Sequence, residues 1–300
     1  AYKTLGKTKR YEVERRLMFK KAEKKQLKIK MGLSGPSGSG KTYTALSIAS
    51  GLGKKIAVMD TEHASSERYA DLFEFDVLNQ KSFQWGFIRK TLNEAVRLGY
   101  DVLIIDSFSH FWNGKGGILE VVDGNSAKGM QAWKMVTPMI ADMYDAIKEA
   151  PIHVICTLRV KTEYVEETNS RNKKVFVKAG LAPVFKDGID YEFDLMGELT
   201  IDHELTCSKT RICELSDKVF EKPSQEFGET LKEWAEGGSA LPQASDEDWI
   251  KILNAISTAV EKGESEKASN YYTFALSKYS LTDEQITELL ALITPKEEAE

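Results

Sequence analysis

The sequence predicts an α/β protein with a mainly parallel central sheet flanked by helices, preceded by a basic N-terminal helix and followed by a small C-terminal helical domain. Three observations carry this expectation. From residue 27 onward, short apolar runs alternate with stretches of helical periodicity, the pattern that builds a parallel sheet covered by helices. A glycine-rich stretch stands between the first apolar run and the first helical one. Beyond residue 236 the apolar runs stop and only helical patterns remain.

The elements follow in order. Residues 11–25 read as a helix, with Val13, Leu17, Met18 and Ala22 at three-to-four spacing among charges. Next come a strand over 27–33, a helix over 42–52, a strand over 56–60, a helix over 82–98 and a buried strand over 102–105. Residues 111–129 carry several glycines and receive no assignment. A helix over 131–149 leads to a strand over 152–158. Two alternating stretches around 162–166 and 174–177, separated by a polar run, predict a protruding hairpin. Strands near 191–200 and 204–213 extend the sheet, and a helix over 224–235 ends the main domain. The run 237–242 reads as a linker, and Ser245 opens the first of three short helices that end near Ile293. The expected partition is a basic arm (1–26), a core (27–236), a linker (237–245) and a helical domain with an acidic tail (246–300).

Composition narrows the function classes. The chain has 300 residues, of which 42% are hydrophobic, enough for a sizeable core. No stretch approaches the roughly 20 apolar residues of a membrane span, so no membrane partner and a cytoplasmic setting are expected. Cys156, Cys207 and Cys213 form no Cys-x-x-Cys pair, which argues against a disulfide framework, and with His203 they lack a fourth ligand at zinc-finger spacing. Residues 1–30 hold twelve Lys or Arg against three Glu, although the whole chain carries a net charge of −5. A basic arm on an acidic body suits a polyanion or an acidic neighbouring subunit, and equally an ordinary solvated helix.

The strongest motif is Gly35, Pro36, Ser37, Gly38, Ser39, Gly40, Lys41, Thr42, the complete G-x-x-x-x-G-K-[ST] phosphate loop between a strand and a helix. Glycines let backbone amides turn inward around phosphates, and the helix N-terminus favours negative charge. Lys41 reaches the outer phosphates and the Thr42 hydroxyl ligates magnesium. ATP and Mg2+ are therefore the expected cofactors. Asp106 closes an apolar strand about 65 residues later, where a carboxylate can order the magnesium water shell. Glu62 leaves the sheet two residues after the strand ending at Asp60 and could polarise a water facing the terminal phosphate; alternatively it only begins the next helix.

The phosphate loop, the segment Asp60, Thr61, Glu62, His63, Ala64, the residue Tyr69, and Ile104 to Ser107 together resemble the RecA-like recombinase ATPases over about 27–215. The resemblance is nearest to short phage-encoded relatives of RecA that act in single-strand annealing and recombination. It implies a DNA-dependent ATP hydrolase in the host cytoplasm, in which Glu62 activates water, Tyr43 binds nucleotide with the loop it follows, and Tyr69 stacks on adenine. A core tyrosine is the alternative for Tyr69. It also implies a homo-oligomeric ring or filament whose ATP sites are completed in trans by Lys209 and Arg211. Ordinary basic residues on an exposed strand are the alternative there.

The family commonly ends the strand before its second DNA loop in a polar amide that senses the terminal phosphate; this chain has Thr157 as phosphate sensor, within Cys156 to Arg159. The segment that follows holds Arg159, Lys161, Arg171, Lys173, Lys174 and Lys178, interleaved with Tyr164 and Phe176, and would contact single-stranded DNA. A solvated hairpin is the competing reading. A single-strand-binding protein is a further candidate partner. Two rival functions share the motifs: a nucleotide-gated recombination mediator or loader with slow hydrolysis, and a RecA-fold helicase motor.

Overall fold

The computed structural model describes residues 21–126, 129–168 and 174–294, the side chains of 164–179 excepted. Among the described residues nine strands form one sheet: β1 Lys30–Gly35, β2 Ile56–Asp60, β3 Asp76–Asn79, β4 Val102–Asp106, β5 His153–Thr168, β6 Lys174–Pro183, β7 Leu195–Leu199, β8 Glu204–Thr210 and β9 Val219–Glu221. Their order is β3-β2-β4-β5-β1-β7-β8-β9, with β6 paired to the outer half of β5. The neighbours from β3 through β7 run parallel, while β8, β9 and β6 pair antiparallel. β1 and β4 are buried along their whole length, as central strands covered on both faces are; β4 is apolar up to Asp106, whereas β1 also buries Lys30 and Ser34.

The helices are α1 Lys41–Leu52, α2 Gly86–Arg97, α3 His110–Asn113, α4 Ile118–Asp123, α5 Met130–Glu149, α6 Gln225–Glu236, α7 Asp246–Glu261, α8 Ser265–Lys278 and α9 Asp283–Ile293. One sheet face packs on α1 and α6, around Ile29, Leu33, Leu46, Ile48 and Leu231. The helices α1 and α6 meet backbone to backbone, since a Cβ at Gly228 would fall 2.1 Å from the Ile48 carbonyl oxygen, and one at Gly51 would fall 2.1 Å from that of Gln225. The other face packs on α2 and α5, and this core continues into Ile256, Ala268, Tyr272 and Leu289 of the last three helices. Local chemistry fixes the helix starts. Ser224 and Ser245 accept amide hydrogens at the heads of α6 and α7, and Thr282 with Gln285 forms a capping box on α9.

The alternation from 27 onward, the hairpin and the three C-terminal helices lie where the sequence places them. Several local expectations change. The N-terminal helix lies mostly outside the described residues, and its last part, 21–25, is not helical; Lys25 bridges Ser239 instead. The expected linker is likewise tied down, because Ser239 exchanges backbone hydrogen bonds with Lys24 and Gln26, and Ser280 donates to the Pro242 carbonyl. The unassigned 111–129 segment supplies α4 and most of α3. The edge strands β3 and β9 are not foreseen, and the strand expected over 191–200 begins only at Leu195, after a 3-10 turn over Ile189–Glu192. No described helix is long and apolar enough to cross a membrane.

Candidate active site

β1, β2, β4 and β5 end side by side, and their carboxyl ends deliver the residues that line a cleft of about 950 Å3. Ligands of open α/β sheets bind at this edge because loops there are free to vary while the strands hold them in register. The loop after β1 turns through Gly38 (φ +83°) and Gly40 (φ +82°), conformations that a side chain would strain. Gly40 opens α1 without any side-chain cap, leaving the helix N-terminus for a ligand. Lys41 Nζ donates to the carbonyls of Gly35 and Pro36, each at 2.9 Å, and burial holds its pKa below the ordinary lysine value. The Ser39 hydroxyl is buried inside the loop with no hydrogen-bond partner among the described residues. Such an orphaned polar group calls for an explanation, and a polar ligand held by the loop supplies one.

Asp106 is buried at the end of β4. Thr42 Oγ1 donates to its Oδ2 at 2.6 Å, and the Thr157 hydroxyl donates to its Oδ1. Burial nevertheless pushes the Asp106 pKa up, beyond what these two hydrogen bonds offset. A hydroxyl and a carboxylate at this spacing are the oxygen ligands that a hard divalent cation takes, so Thr42 and Asp106 fit magnesium beside the phosphate loop. The Asp60 carboxylate, by contrast, serves the backbone. It accepts from Glu62 N (2.6 Å), Ser66 N (2.8 Å) and Ser66 Oγ (2.5 Å), which fixes the turn after β2. Because the next helical turn starts only at Ser66, Glu62 does not begin a helix; it lines the cleft. There its Oε1 accepts from Arg159 Nε at 2.9 Å.

Residues 27–224, well over half of the chain, match a protein-family model described as AAA domain. The chain belongs to this family. Among solved structures, the AAA domain protein is similar to the RadB recombinase at 16% identity, covering 62% of this chain and 83% of that one with a TM-score of 0.36. It is also similar to a prototypical ATPase from the type III secretion system of pathogenic bacteria, at 12% identity over 89% of this chain and 80% of that one, with a TM-score of 0.40. A comparison with curated proteins finds no match.

Within the AAA domain the other expected residues divide into two groups. Gly35, Ser37, Gly38, Tyr43 and Tyr69 line the cleft with the residues above, Tyr43 packing edge-on against Tyr69 (6.0 Å between centroids) and Phe73 (5.3 Å). Pro36 stays in the loop as the acceptor for Lys41 and Ser39 N. Thr157, expected as a phosphate sensor, is fully buried with its hydroxyl on Asp106 and is not among the residues that line the cleft. Arg159, expected on DNA, lines the cleft. Lys209 and Arg211 are remote from it in the same chain. Lys209 Nζ donates to the carbonyls of Asp190 (2.8 Å) and Phe193 (2.6 Å), and Arg211 pairs with Asp194 at 2.8 Å.

Lys161 is exposed on β5, and Lys174 and Lys178 lie on β6. Arg171 and Lys173 fall outside the described residues. Sequence reasoning missed the far wall of the cleft, made by His203, Lys222, Pro223 and Ser224. His203 Nδ1 lies 3.0 Å from the Ser39 carbonyl, and its own carbonyl accepts from Lys222 N. Nothing in the local sequence marks these residues, because the β7–β8 turn brings His203 to the loop from 164 positions away and Lys222 follows it there.

Proposed function

We propose that the protein hydrolyses ATP in this cleft, coupled to single-stranded DNA on which copies of the chain assemble as a ring or filament for annealing or strand exchange. The convergence of Lys41, Thr42, Asp106 and Glu62 at adjoining strand ends carries the hydrolytic part of the reading. Lys41, now on loop carbonyls, would swing to the outer phosphates, and Tyr69 would stack on adenine. Thr42 and, through water, Asp106 would hold magnesium, which would supply charge neutralisation for the phosphates. Glu62 accepts a proton from water as the water oxygen bonds to the terminal phosphorus, the bridging P–O bond breaks, and ADP and phosphate leave.

The remote placement of Lys209 and Arg211 supports a role only in a neighbour's site, where cations would stabilise transition-state charge and make turnover depend on assembly. The cationic sequence of the β5–β6 hairpin supports the DNA part. Steady-state ATP hydrolysis with and without single-stranded DNA tests the reading, at several protein concentrations and with Lys41→Ala as the contamination control. DNA stimulation that rises cooperatively with protein is the expected result. Nucleotide binding with turnover indifferent to DNA would favour the nucleotide-gated mediator. Glu62→Gln is expected to keep ATP and to lose about 100-fold or more in kcat.

A further inference from the structure

Arg159 occupies an unusual place. It pairs in register with Gly35, the first residue of the phosphate loop, at the last position where β5 still belongs to the parallel sheet. Its backbone is pinned on both sides: its amide donates to Ser109 Oγ at 3.0 Å and its carbonyl accepts from Val184 N at 2.7 Å. The side chain therefore leaves a fixed point and reaches the cleft wall, where only Nε is engaged among the described residues, on Glu62 Oε1. Lys41 and Asp106 feel the same pair electrostatically, Lys41 through both Glu62 and Arg159, and Asp106 through Glu62.

We infer that Arg159 is a terminal-phosphate-binding residue of this cleft, and that its ion pair with Glu62 is a resting arrangement from which ATP releases the carboxylate. The inference rests on the ATPase reading above and adds a residue and a partner exchange to it. Three physical points support it. The pair is open to solvent, with the Arg159 side chain 46% and that of Glu62 29% exposed, and ion pairs so placed are weak. A guanidinium offers a planar fork of donors that matches a phosphate better than a single contact to one carboxylate oxygen does. Finally, a terminal phosphate carries more negative charge than Glu62, so it competes for the cation in the same place.

The exchange has a chemical consequence. While paired, Glu62 has one oxygen committed to the guanidinium, so that oxygen is not free to accept a hydrogen bond from a water. Once Arg159 has moved to phosphate, both Glu62 oxygens are available to accept from that water. ADP lacks the third phosphate, so with ADP the pair persists and the base stays sequestered. The cleft would thus distinguish the two nucleotides through one arginine supplied by its own chain.

Affinities of the full-length protein for ADP and for a non-hydrolysable ATP analogue, both with magnesium, test this, together with kcat. Wild type is expected to bind the analogue more tightly than ADP. Arg159→Ala is expected to leave the ADP Kd within about twofold and to weaken the analogue about tenfold or more, the scale of one charge-assisted hydrogen bond. Arg159→Lys should recover part of the discrimination, because it keeps the charge without the fork. An unchanged ratio of the two Kd values in Arg159→Ala overturns the inference and leaves the ATPase reading standing. Equal loss of both nucleotides in both variants also overturns it, since Arg159 would then be shaping the cleft rather than reading the phosphate. Wild-type protein that binds neither nucleotide would defeat the ATPase reading itself.

Discussion

Asp106 shows how single residues set the chemistry of the cleft. Two hydroxyls, from Thr42 and Thr157, donate to a carboxylate that burial would otherwise drive towards its neutral form. Thr157→Val keeps the side-chain shape but deletes one donor, leaving Asp106 Oδ1 buried and short of a partner. The expected cost is about 1–3 kcal/mol of stability at neutral pH, measured by denaturant unfolding without nucleotide, and it should shrink in acid as the carboxyl protonates. The loop and Asp106 were legible in the sequence because phosphate and magnesium demand those residue types at that spacing. Arg159 was not, because a cation at a strand end looks the same whether it turns to solvent or to a carboxylate 97 positions away.

At the scale of elements, helix α1, which carries Lys41 and Thr42, packs closely against α6, and Gly51 and Gly228 permit that contact. A methyl group at Gly228 would collide with the Ile48 carbonyl, a backbone atom that cannot step aside. Gly228→Ala is therefore expected to lose about 2–4 kcal/mol, visible as a lower thermal midpoint. Gly86→Ala in α2 is the matched control, since its new Cβ meets nothing within 4 Å and should be neutral or slightly stabilising. Helices and central strands were readable from apolar periodicity. β3 escaped because Asp76–Asn79 is four exposed residues at the sheet edge, with no buried face to leave a pattern. The arrest of the 237–242 run escaped because its partners, Lys24, Gln26 and Ser280, are distant in sequence.

The whole molecule responds to pH through a group far from the cleft. His153 is buried at the start of β5, its Nδ1 accepting from Ile29 N at 3.0 Å, and burial, aided by Lys28, Lys30 and Lys232, pushes its pKa down to about 3. The folded pKa lies below the unfolded value of about 6.5, so the neutral ring's contribution is complete above that value and is lost as pH falls towards 3. His153→Asn, which keeps an acceptor for the Ile29 amide, is expected to flatten the stability curve in that window. The difference should reach about 1.4 kcal/mol per pH unit at most, read from unfolding midpoints between pH 6.5 and 4.

The sequence by itself determined the α/β alternation, the phosphate loop, the Asp106 strand and the helical character of the C-terminal part. Each depends on neighbours in the chain: periodicity, a turn that needs glycine, or a carboxylate at the end of an apolar run. The tertiary structure alone decided that Thr157 serves Asp106, that Arg159 holds Glu62, that His203 braces the phosphate loop, and that Lys209 and Arg211 point away from their own cleft. These are contacts between strands brought together by the sheet order, and strand order leaves no mark in the local composition of any one strand.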